Sequence, residues 1–271
     1  MLGKLLKHEF KDTGKVLLPL DLLLIGVTLL GMIVLGLKVF DHDGMAPVAA
    51  AMLIFYILGI IALFIVTYVF LMIRFFRSMY SSEGYLTHTL PVNPLATLNT
   101  KLIVSLFWAF LTLILSIGSV VSLILTAVRT YGEEISWGDL WPAFEKVTGF
   151  TAPEMLGWIM LFSFLTCLSG LLMIYCSISI GQLFNKHKVL AAIISYVVIY
   201  IVMQIVSTIT MLGTSIRSIS DESSISTQSG FVDMSGFYGS VFGSTMIQSV
   251  VFIAIFYVVT AYISSKKVNL D

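Results

Sequence analysis

Apolar residues run unbroken along this chain in six long windows, near residues 16–37, 48–73, 102–128, 156–180, 189–212 and 242–263. The hydrocarbon core of a bilayer is about 30 Å thick, and a helix rising about 1.5 Å per residue needs roughly 20 apolar residues to cross it. Every window meets that length. The pattern therefore predicts an all-α integral membrane fold of six transmembrane helices, in a single transmembrane domain covering residues 1–271. Continuous runs exclude a β-barrel, whose strands alternate apolar and polar positions. The first window exceeds a signal-peptide core and no small-residue cleavage site follows it, so it is expected to stay in the mature protein.

Composition agrees with this reading. Hydrophobic residues make up 58% of the chain and charged residues 11%, more apolar surface than a soluble chain of this size can hide. The net charge is zero, but its distribution is lopsided. Lys4, Lys7, Lys11, Lys15, Arg74, Arg77, Lys101, Lys186, Lys188, Lys266 and Lys267 fall on one side of the six windows. Only Lys38, Arg129, Lys146 and Arg217 fall on the other, among ten acidic residues. Basic loops are retained in the cytoplasm, which predicts a multi-pass cell-membrane protein with both termini cytoplasmic. The basic face suits anionic lipid headgroups. No basic-aromatic surface or recognition module points to nucleic acid.

Four connecting segments add to the picture. In the leader, residues 1–15, Leu2, Leu5, Leu6 and Phe10 recur at helical spacing between lysines, which predicts an interfacial amphipathic helix. Residues 74–101 form the longest cytoplasmic connection. Asn93 and Pro94 read there as the cap and first position of the third helix, preceded by a short projecting helix or an ordinary turn. The outer segment 129–155 mixes Trp137, Trp141 and Phe144 with acidic residues, the composition of an interfacial segment. The outer segment 213–241 is rich in Ser and Gly and predicts a mobile loop, with Phe231, Phe237 and Tyr238 able to pack back as a partial helix.

Catalytic chemistry is missing from the pattern. No G-x-x-x-x-G-K-[ST] loop is present, so ATP hydrolysis is not expected of this chain. The four histidines, His8, His42, His88 and His187, lie outside the windows, which argues against an intramembrane protease. No metal or catalytic residue is assigned. Cys167 and Cys176 sit nine residues apart in one helix and read as packing residues. Asp21 is the sole acidic residue inside a window. Following Pro19 and only six residues after Lys15, it is placed near the inner interface with water in reach, either as a functional carboxylate or as a snorkelling or hydrogen-bonded one. Uncharged polar residues within the windows, among them Thr67, Ser105, Ser116, Ser119 and Gln204, read as interhelical contacts. Ser177 with Gly181 gives a small-xxx-small spacing.

The leader MLGKLLKHEFKDTG, the six windows, and GYLTHTLPV at residues 84–92 together resemble the membrane-spanning permease subunits of type-2 ABC transporters, the exporter-like class of Gram-positive bacteria. The resemblance implies that residues 1–15 form the elbow helix. It also implies that Met79, Tyr80, Ser82, Glu83, Gly84, Tyr85 and Leu86 form the coupling helix that docks into an ABC ATP-binding subunit. A second permease chain, the same or different, completes the implied assembly. ATP and Mg would be bound by the partner ATPase and no cofactor by this chain. The segment after the fifth helix would match the family's outer hairpin, from whose compact form the Ser-rich insertion departs. An amphipathic lipid, peptide or drug is the expected cargo. A sensor or immunity protein binding a peptide at its outer surface is the alternative, and an ATP-independent carrier using Asp21 is a third reading.

Overall fold

In a bilayer no water is available to satisfy the backbone, so a spanning segment must bond its own N–H and C=O groups. The computed structural model meets that demand with six long helices: α1 (Leu2–Gly36), α2 (Ala46–Tyr80), α3 (Pro94–Tyr131), α4 (Ala152–Gly181), α5 (Lys188–Ser220) and α6 (Ser235–Lys266). It describes residues 2–38, 45–80, 94–132, 142, 145, 151–184, 187–220, 226–228, 231–233 and 235–266. All six helices are long and apolar enough to cross a membrane, the makeup of a multi-pass membrane protein.

Every helix outruns the window that predicted it. α1 and α2 have 35 residues each and α3 has 38, lengths of about 52 to 57 Å against a hydrocarbon core of about 30 Å. The leader and the first span are one continuous helix, with no turn setting residues 1–15 apart. Pro19 lies inside it; lacking an N–H, it leaves the Lys15 carbonyl without its usual helical donor. α3 opens at Pro94, the first helical position that the sequence assigns to it.

The faces turned away from neighbours are apolar: Leu22, Leu23, Leu29 and Leu30 on α1, Ile54 and Phe55 on α2, and Val197, Val198, Ile201 and Val202 on α5 are all exposed. Acyl chains are the solvent such faces fit.

The chain forms two compact units, Met1–Phe75 with Ala96–Ile135, and Phe76–Leu95 with Ser136–Asp271. In the second unit α4 packs against both α5 and α6. It buries Cys167, Leu171, Leu172, Tyr175, Cys176 and Ile178, and the two cysteines form no disulfide. Phe162 of α4 meets Phe242 of α6 edge-on, ring centroids 6.3 Å apart. Gln248 of α6 donates to Ser207 of α5. α4 starts with the Thr151 amide donating to the Glu154 carboxylate at 3.0 Å, a capping bond that extends the helix beyond its apolar window.

The Ser-rich segment between α5 and α6 differs from its expectation. α5 continues to Ser220 and α6 starts at Ser235. Between them Ser226–Gln228 (β1) pairs antiparallel with Phe231–Asp233 (β2), Thr227 opposite Val232. Phe231 is thus in a strand, not a partial helix, while Phe237 and Tyr238 are helical. Thr227, Phe231 and Val232 are of the β-branched and aromatic types that favour strands. The interfacial reading of Trp137, Trp141 and Phe144, and the projecting helix or turn within 81–93, lie outside the described residues.

Gly181 and Ser177 are buried as their small-residue spacing implies, and the close contact is with the next helix. A Cβ at Gly181 would stand 2.6 Å from Ala192 Cβ and 2.7 Å from its amide nitrogen. Gly181→Ala is therefore expected to cost about 1–3 kcal/mol by overpacking, read as a lower unfolding midpoint of the purified protein in detergent. Gly157→Ala, with open space around the added carbon, leaves the midpoint nearly unchanged.

Candidate functional site

Three helices of the first unit carry polar side chains inward at matching heights. On α3 the buried positions Lys101, Ser105, Trp108, Thr112, Ser116 and Ser119 recur every three or four residues and so share one face. α1 contributes Glu9, Thr13, Asp21 and Thr28. From α2 come Arg74, Thr67 and Tyr56.

The lowest rung is ionic. Glu9 accepts from Arg74 Nε at 2.8 Å and, through its other oxygen, from Lys101 Nζ. Arg74 Nη2 also lies 3.8 Å from Asp12, which accepts from Lys15 at 3.1 Å. The Thr13 hydroxyl donates to the Glu9 carbonyl. Glu9 precedes the apolar window of α1 by seven residues.

Taking Glu9, Arg74 and Lys101 as a common level, a rise of about 1.5 Å per residue sets the rest. Thr67 and Trp108 lie about 10 Å up their helices, Thr112 about 16 Å and Asp21 about 18 Å. Thr112 donates to Asp21 Oδ1 at 3.0 Å. The highest rung, about 27 Å up, is Tyr56, whose hydroxyl donates to Ser119 at 2.7 Å and lies 3.5 Å from Thr28. Two close approaches hold α1 to α3 along the way: a methyl group at Gly14 would stand 3.2 Å from Trp108 Cζ2, and one at Gly31 3.0 Å from a Leu123 methyl. Asp21 is buried at 4% exposure. Of the roles open to it in the sequence it takes the hydrogen-bonded one, and water is not in reach, because the polar face of α3 covers it.

The residues assigned by resemblance fare differently. Leu5, Leu6 and Phe10 are half-buried, and the Phe10 ring meets Phe107 of α3 edge-on at 5.1 Å; only the backbone of Leu2 is described. Met79 and Tyr80 are buried inside the second unit. The Tyr80 hydroxyl lies 2.8 Å from Ser179 and 3.0 Å from Ser264. Those two side chains anchor the end of α2. Ser82, Glu83, Gly84, Tyr85 and Leu86 lie outside the described residues.

Sequence reasoning passed over Glu9, Thr28, Tyr56, Trp108 and Thr112, and read Arg74 and Lys101 only as loop charges. The spacing of polar residues along α3 was the available signal. Among the described residues no group of three or more His, Cys, Asp or Glu is placed to hold a metal.

Glu9→Gln leaves the nearly buried Lys101, 6% exposed at its side chain, without its carboxylate. It is expected to destabilise the protein by about 3 kcal/mol, and a Glu9→Gln/Lys101→Met cycle should recover part of that loss. Chemical unfolding of these variants at neutral pH checks this. Tyr80→Phe removes a hydroxyl shared by two buried serines and is expected to cost about 1–2 kcal/mol, read by the same unfolding assay. No protein-family model, curated protein or solved structure matches this chain.

Proposed function

We propose that this chain is the permease subunit of an ATP-driven type-2 ABC transporter, forming the translocation path and coupling to a separate ATPase. The observation that carries this reading is the ionic rung. Glu9 of the leader is bonded to Arg74 and Lys101, which flank the 81–93 segment on either side. A displacement of that segment would therefore be passed to α1 through short charge-assisted bonds, which resist stretching more than neutral ones.

Two further features support the reading. Basic residues crowd one side of the six spans, which by the positive-inside rule puts both termini in the cytoplasm. Helices about 20 Å longer than the hydrocarbon core reach beyond it, within range of a soluble partner. ATP and Mg²⁺ belong to that partner. Two permease chains and two ATPases make the working unit, surrounded by membrane lipid. A path lined by apolar and hydroxyl side chains favours an amphipathic lipid, peptide or drug for export.

The test is gentle solubilisation of the tagged protein from its native membrane, followed by mass spectrometry of what copurifies. A stoichiometric soluble subunit carrying a phosphate-binding loop is the expected result; the folded chain recovered repeatedly alone overturns the reading. In the reconstituted complex, Glu83→Ala and Tyr85→Ala are expected to abolish transport while ATP hydrolysis persists. Unchanged transport in both variants counts against docking through this segment.

A further inference from the structure

Asp21 uses half of its hydrogen-bonding capacity. Oδ1 accepts the Thr112 hydroxyl at 3.0 Å, and Oδ2 has no partner although the residue is 4% exposed. Among the described residues no cation pairs with it. An ionised carboxylate held away from water without a counter-charge is strongly disfavoured, and ionisable groups inside membranes mark ion or proton pathways. Two more buried polar atoms lack partners, Thr67 Oγ1 and Trp108 Nε1. Both belong to the height between the ionic rung and Asp21, on the two helices that complete the column.

We propose that Asp21 is a proton-binding site in the membrane interior, loaded from the basic end of the first unit past Ser105, Trp108 and Thr67. The inference is independent of the transporter reading and of cargo. A proton suits the site better than a metal cation. Sodium sites in membrane helices draw on backbone carbonyls freed where a helix unwinds, whereas α1 and α3 are continuous at Asp21 and Thr112. The carbonyl that Pro19 releases belongs to Lys15, on the exposed side of α1. Thr112 and Trp108 on α3 and Thr67 on α2 do not titrate. The charged groups nearest Asp21 lie below it and answer one another, Lys15 with Asp12, and Arg74 and Lys101 with Glu9, while Arg129 lies about 24 Å above it near the end of α3. The tyrosines of α2 are Tyr56, bonded to Ser119 on the upper rung, Tyr68, which has a partner of its own, and Tyr80 at the helix end, against Ser179 and Ser264.

Infrared spectroscopy of the full chain in lipid nanodiscs tests this. At neutral pH, where surface carboxyls are ionised, the wild-type protein is expected to show a protonated-carboxyl C=O band. That band should shift in D₂O, vanish in Asp21→Asn, and move to higher frequency in Thr112→Val, which removes the hydrogen bond to the carbonyl oxygen. Exchanging choline for Na⁺ is expected to leave it unchanged. Absence of any protonated-carboxyl band in the wild type overturns the proposal without reliance on a variant. Loss of the band on adding Na⁺ overturns it in favour of a cation site, and a band that never shifts in D₂O overturns the loading path.

Discussion

A bilayer interior offers polar groups no water, and that single constraint organises this protein. Backbone groups are satisfied by six uninterrupted helices. Side-chain groups find each other: Tyr56 bonds to Ser119, Thr112 to Asp21, Gln248 to Ser207 and Tyr80 lies against Ser179 and Ser264. Many remaining hydroxyls bend back to the carbonyl three or four residues earlier, as Ser116 does to Thr112 and Thr260 to Phe256. Where apolar side chains dominate both faces of an interface, lipid competes equally well, so these bonds and the close approaches at Gly14, Gly31 and Gly181 carry the specificity of helix pairing.

The two polar assemblies answer that constraint differently. At its basic end the first unit lets charges meet charges, and Glu9 with two cations converts three potentially costly side chains into one bonded cluster. Higher in the column no counter-charge is present, and Asp21 is left with one hydroxyl and one empty oxygen. The first arrangement is mechanically stiff and suits transmission of a push. The second is chemically incomplete and suits exchange of a proton. A permease driven by ATP needs the former, while the latter adds a site that such a drive does not require.

Much of the fold could be read directly from the chain, because the length of an apolar run reports on bilayer thickness and needs no knowledge of neighbours. Pro94 at the start of α3 and the absence of phosphate-loop chemistry were legible for the same local reason. Helix ends were not: α1, α2 and α3 continue as helices through polar, charged sequence, where hydropathy falls but helical hydrogen bonding does not. The strand pairing of Phe231–Asp233 was likewise hidden in a segment whose composition suggested only a loop.

Sequence alone determined six spans and a strong charge asymmetry, since each depends on residues close together in the chain. Only the tertiary structure decided that Glu9 meets Arg74 and Lys101, that Tyr80 is an internal anchor, and that Asp21 is covered by α3. Those facts depend on which face of one helix meets which face of another, a choice made by hydrogen bonds and small residues dozens of positions apart, which no local pattern encodes.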